Sequence, residues 1–136
     1  MNPAGKESVP GFVPHPAPGG LTMRAIIINP EDRTITETEI DGSLKSLQHI
    51  VGGLIEAVYQ GLDDNHHSYV NEEGLVNNPQ YFFMFKDGHQ PLAGNGVVLS
   101  STDDGGEAPC TLALDWVKEC VTFMDLQAAL QWARDH

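Results

Sequence analysis

Positive charge is what this sequence has least of. Seven Lys and Arg stand against 19 Asp and Glu, a net charge of −12 with a pI near 4.6. Nucleic-acid binding draws its affinity from cations that displace counterions from phosphate, so the charge argues against direct binding of nucleic acid. It argues against an anionic membrane surface on the same ground. Cysteine is also scarce. Cys110 and Cys120 form no CxxC pair and no disulfide framework, and a catalytic thiol would need an electropositive pocket that this chain is poorly equipped to build. Long apolar runs are missing, so no segment reads as a membrane span. Residues 1–21 lack the apolar stretch of a signal peptide. Phosphate-loop chemistry is missing too. The "GNG" at 94–96 is followed by neither GK[ST] nor a helix start, and no Ser-His-Asp grouping stands out.

The 136 residues, 40% hydrophobic, suffice for one core without staples. Residues 1–21 differ from the rest. Pro14, Pro16 and Pro18 alternate with other residues, Gly19-Gly20 follow, and no periodicity appears, so this part reads as a flexible Pro/Gly-rich arm. Lys6 and Glu7 cancel, which leaves the whole excess of acid on a single domain over 22–136. Met23 is the natural opening of that domain, with the arm an addition to it or a docking segment that works through Phe12 and Val13.

The domain reads as α+β with a mainly antiparallel sheet of about five strands and three to four short helices, in the order β-β-α-β-β-α-β-α-(β)-α. "RAIIIN" (24–29) is rich in β-branched residues and apolar at consecutive positions, which predicts a strand buried on both faces. "NPED" turns the chain, and "RTITETEI" (33–40) alternates as the second arm of a hairpin. The spacing of Leu44, Leu47, Ile50 and Val51 predicts a helix capped by Ser43 and ended by Gly52-Gly53. "LIEAVY" and "HHSYV" read as strands, and "NEEG" as a tight turn whose Gly74 takes positive φ. "NNPQYFFMFKDG" fits a short apolar helix, with Asn78 as cap, Pro79 in its first turn and Gly88 at its end; a strand is the alternative. A Gly-preceded strand centred on Val97–Ser100 is followed by "TDDGGEAP" as a surface loop, "LALDWVKEC" as a helix, "VTFM" as a short strand, and a last helix capped by Asp125.

Four segments, "MRAIIINPEDRTITETEIDG", "LKSLQHIVGGLIEAV", "YVNEEGLVNNP" and "LAGNGVVL", in this order and spacing, resemble a family of small bacteriophage, prophage and mobile-element proteins of unknown function. The resemblance runs over residues 23–101, from the position of Met23, and the acidic turn carries Asn71 where the family pattern has Asp. It implies a phage or mobile-element origin, the host cytoplasm as location and an accessory role. It supplies no catalytic residues.

The candidate chemistry is sparse. His66 and His67, with Asp63 and Asp64 upstream, are the densest ligand cluster, but adjacent strand residues face opposite ways, so the pair reads as polar surface rather than a metal site. Asp103, Asp104 and Glu107 lack the alternating acidic positions of a calcium loop. No metal and no cofactor is expected. The aromatics of "YFFMF" serve the core or, alternatively, a self-association patch that would make a homodimer. Two function classes follow. In the first, the protein binds and modulates a host protein with a basic surface, a defence or nucleic-acid-handling factor, through Glu37, Glu39, Asp41, Glu72 and Glu73; in its strong form it mimics DNA. In the second, it sequesters a nucleotide signal in a pocket built from Arg24, His66, Asn78, Gly94, Asn95 and Gly96. An enzyme ranks last.

Overall fold

The computed structural model describes residues 22–59, 61–104 and 106–136, so the expectation for the arm lies outside the described residues. These residues form nine strands, three α-helices and one 3-10 turn. The α+β class with antiparallel sheets stands.

The chain enters on β1 (Met23–Asn29), which pairs in full register with β2 (Thr34–Ile40). The turn between them is tied by Asn29, whose side chain accepts from the Asp32 N–H at 3.1 Å. β1 also pairs with β7 (Gly96–Ser101), and β7 with β4 (His66–Asn71), which pairs with β3 (Ile55–Val58). The strand order is therefore β2-β1-β7-β4-β3, with β8 (Glu107–Ala108) added beside the end of β7. A second, three-stranded sheet runs β6 (Leu92–Ala93), β5 (Tyr81–Phe85), β9 (Val121–Asp125).

Alternation along β1 dictates the layers. Ala25 and Ile27 point to one side, Ile26 and Ile28 to the other, and all four are at most 1% exposed. Helix α1 (Leu44–Val51) covers the first side through Leu47, Ile50 and Val51. Ser43 caps it, its hydroxyl accepting from the Ser46 N–H, and Gly52 ends it at φ 87°. The other side of the large sheet is covered by Phe83 and Phe85 of the small sheet and by Val117 of α2 (Leu114–Cys120). The outer face of the small sheet, with Phe82 and Met124, is covered in part by α3 (Leu126–Asp135) through Ala129 and Leu126. Four layers result: α1, the large sheet, the small sheet with α2, and α3.

Three expectations change. "YFFMF" is the strand β5, not a helix. Its aromatics exceed what one helix face can bury, but a strand between two covered faces buries Phe83 and Phe85 inward and Phe82 outward. Gly74 does not take positive φ; that role falls to Gly42, Gly52, Gly61 and Gly94, while Gly74 opens the 3-10 turn Gly74–Val76. Part of the "TDDGGEAP" loop pairs with β7 as β8.

Phe83 of the small sheet packs directly on Gly96 of the large one. A Cβ there would stand 2.6 Å from Phe83 Cζ and 2.9 Å from Ser68 Oγ. Phe83 is fully buried. Gly96→Ala should therefore cost about 1–3 kcal/mol of unfolding free energy through overpacking. Adding Phe83→Leu should recover part of that loss, a coupling measurable by urea denaturation of the double-mutant cycle.

Candidate functional site

Arg24 leaves β1 on the side facing α2. Its Nε donates to Glu37 Oε2 at 2.9 Å, and its Nη1 donates to the carbonyls of Cys110 and Leu112 at 2.9 and 2.8 Å. The hydrogen bond with Glu37 raises the guanidinium pKa and holds the Glu37 carboxyl below the usual range. His66, from β4, holds the same segment. The Thr111 N–H donates to its Nε2 at 3.1 Å, so the Nδ1 carries the proton and donates to Asp63 Oδ1 at 2.7 Å. Burial pushes the Asp63 carboxyl up, but the bonds from His66 and the Asn65 N–H outweigh it and the carboxyl lies low. Two residues of the expected ligand pocket thus come together, and both clamp residues 110–112 ahead of α2.

The other pocket candidates lie at the opposite end of the large sheet. Gly94 and Asn95 line a cleft of about 200 Å³ with Asn71, Gly74 and Asn77. The Asn95 side chain is engaged, its Nδ2 donating to the Ile50 carbonyl at 3.1 Å. Gly96 is buried under Phe83, and Asn78, at φ 55°, belongs to a different groove beside α3. The six residues form no single pocket.

The acidic candidates also separate. Glu37, Glu39 and Asp41 follow the edge strand β2. Glu37 pairs with Arg24, Glu39 accepts from the Thr22 hydroxyl, and Asp41 accepts from the Ser43 N–H and hydroxyl. Glu72 and Glu73 stand beyond β4, beside the other edge strand β3, and both are exposed. The Asn71 side chain orders their turn by accepting from the Glu73 N–H at 2.8 Å.

The histidine pair is not polar surface. His66 is 3% exposed and His67 2%. They do face opposite sides of β4, as alternation requires. His67 lies on the α1 side, its Nδ1 2.6 Å from Ser101 Oγ and its ring between those of Tyr59 and Tyr69. Its Nε2 is buried without a hydrogen-bond partner. Next to it the Tyr69 hydroxyl donates to Glu107. Burial lowers the His67 pKa, opposed by the Glu107 charge and assisted by His66. Burial, reinforced by the bond to Glu107, raises that of Tyr69. Sequence reading missed this His67–Ser101 and Tyr69–Glu107 grouping. Only the pairing of β4, β7 and β8 brings residues about 35 positions apart together.

The remaining chemistry is spent internally. Burial pushes both thiols up, the wrong direction for a nucleophile. The Asp104 carboxylate accepts from the Thr102 hydroxyl and the Gly106 N–H, which closes the loop on itself. Among the described residues no group of three or more His, Cys, Asp or Glu could hold a metal ion, and no helix is long and apolar enough to cross a membrane.

This is an α+β domain of two antiparallel sheets in which Arg24, His66, His67 and Tyr69 are hydrogen-bonded within the fold. The chain belongs to a family described as a domain of unknown function (DUF3846), whose model matches residues 23–123. The match opens at Met23, as the resemblance implies, and runs past residue 101 to include α2 and most of β9. No curated protein and no solved structure matches significantly.

Arg24→Met should cost about 1–3 kcal/mol, because two carbonyls lose their donor. Arg24→Lys should not restore it, since a single ammonium cannot span both carbonyls and Glu37; chemical denaturation of the two variants measures this. The lowered His67 pKa sets a pH window. Its contribution is complete above the unfolded value of about 6.5 and is lost as pH falls from there through the folded value. Thermal melts from pH 8 to 5 should fall in Tm for the wild type and be flatter for His67→Gln. Asp63 and Glu37, held low, lose their contributions only below about pH 4.

Proposed function

We propose that the protein is a non-enzymatic binding protein whose partner is a protein with a basic surface. One observation carries this reading: the side chains suited to chemistry are consumed inside the fold, while carboxylates such as Asp64, Glu72, Glu73 and Asp103 are exposed. Arg24, one of only seven cations, is among those consumed. Such a surface steers a basic partner and repels acidic ones. In the setting that the resemblance implies, the protein is a phage or mobile-element accessory factor, and the partner is a host defence or nucleic-acid-handling protein in the host cytoplasm. The strong form of this reading, DNA mimicry, needs carboxylates in one row at phosphate spacing. Acidic groups on opposite edges of the sheet support the weaker form, a discrete contact with a protein.

The small-ligand reading keeps Gly94 and Asn95 beside their cleft. Its volume of about 200 Å³ is small against the roughly 300–1,000 Å³ usual for ligand sites, and Arg24 and His66 stand at the far end of the sheet.

Capture from bacterial host lysate on the immobilised full chain tests the proposal. A basic protein should be retained at low ionic strength and released at moderate ionic strength. Glu72→Gln/Glu73→Gln or Glu39→Gln should weaken its retention. Retention indifferent to salt and to both variants would refute the reading. A small molecule that co-purifies and leaves on heating would favour the ligand pocket.

A further inference from the structure

Helix α3 lies beyond the residues matched to the family and is incompletely covered. Of its apolar stripe only Ala129 is buried, and Leu130 is 48% exposed. Facing it is the 3-10 turn, where Leu75 is 61% and Val76 78% exposed. Between them runs a groove of about 590 Å³, with Phe82 and Trp132 among the residues that line it. Its second wall is well held. The Val76 N–H donates to the Glu73 carbonyl at 3.1 Å, and Gly74 packs so closely on β6 that a Cβ would stand 3.1 Å from the Ala93 carbonyl oxygen.

The charge lies beside the groove and not in it. None of its lining residues is charged. The two residues that lead into the Gly74–Val76 wall are Glu72 and Glu73, both exposed, and Glu72 lines an adjoining hollow together with Leu75 and Val76. Arg134, one position beyond the lining of α3, donates to Gln131 on its own helix. Apolar walls this exposed suit a segment laid along them, not a small molecule enclosed by them. Glu72 and Glu73 at the end of the Gly74–Val76 wall suit a segment whose polar side is cationic.

We propose that this groove docks an amphipathic basic segment of the protein partner, its apolar face against Leu75, Val76 and Leu130 and its cations toward Glu72 and Glu73. The proposal rests on the basic-partner reading above and adds the place and form of the contact.

The test uses the full chain and two labelled helical probes with the same leucine face, one carrying lysines and the other glutamates on its polar face, read by fluorescence anisotropy. The Leu/Lys probe should bind and the Leu/Glu probe should not. Leu130→Asp/Val76→Asp should weaken the Leu/Lys probe by about ten-fold or more. Both positions are exposed, so the fold should survive. Glu72→Gln/Glu73→Gln should weaken it by less and flatten its salt dependence. Unchanged binding to Leu130→Asp/Val76→Asp would overturn the proposal, as would equal binding of the two probes. If the captured basic protein still bound that variant in a salt-dependent way, the groove alone would fail; if no cationic partner or probe bound anywhere, the underlying reading would fail with it. Two further results would name another occupant and overturn the proposal. One is a dimer in sedimentation that Leu130→Asp disperses, and the other is much tighter probe binding after removal of residues 1–21.

Discussion

Ala25, Ile26, Ile27 and Ile28 lie in one strand with both of its faces withdrawn from water, and most other elements serve to keep them there. A strand apolar at consecutive positions cannot rest on one layer. α1 supplies the cover on one side from the next stretch of chain. The second side is harder, because its cover, β5, α2 and β9, arrives from about sixty to a hundred residues later. The lateral neighbours of β1 are also uneven: β2 is its own hairpin partner, whereas β7 must come from the far half of the sequence.

The buried polar side chains are intelligible against that constraint. Arg24 and His66, on two strands of the same sheet, both bind residues 110–112 and so place α2 over the isoleucine face. Part-buried carbonyls and an N–H group in this irregular segment need partners, and the two side chains provide them. His67 and Tyr69 do related work on the α1 side, where they reach Ser101 and Glu107 at the end of β7 and in β8. Histidine, arginine and tyrosine here join elements distant in sequence, which leaves little of their chemistry facing solvent.

Among what does face solvent are many carboxylates and the apolar side chains Leu75, Val76 and Leu130 beside and along α3. Part of the acid, Glu37 and Glu39 on β2 and Glu72 and Glu73 beside β3, stands at the two opposite edges of the large sheet, where charge also blocks pairing with another strand. Exposed carboxylates and an open apolar groove with no charged lining are the features on which the proposed contact with a basic protein rests.

The hairpin of β1 and β2, the caps of α1 at Ser43 and Gly52, and the Asp125 cap of α3 were legible in the sequence, because a period of two, a period of 3.6 and cap chemistry are local properties. "YFFMF" was not. Apolar residues at every position carry no period, and only the presence of cover on both faces makes them a strand. The candidate site was less legible still. Residue types named Arg24, His66 and the carboxylates as candidates, but not that Arg24 and Glu37 satisfy each other or that the two glutamate groups stand on opposite edges. The amino-acid sequence by itself determined the class of fold, the acid excess and the sheet's first hairpin. Tertiary structure alone decided which polar groups are spent and which surface is left open, because burial and hydrogen-bond pairing depend on neighbours far away along the chain.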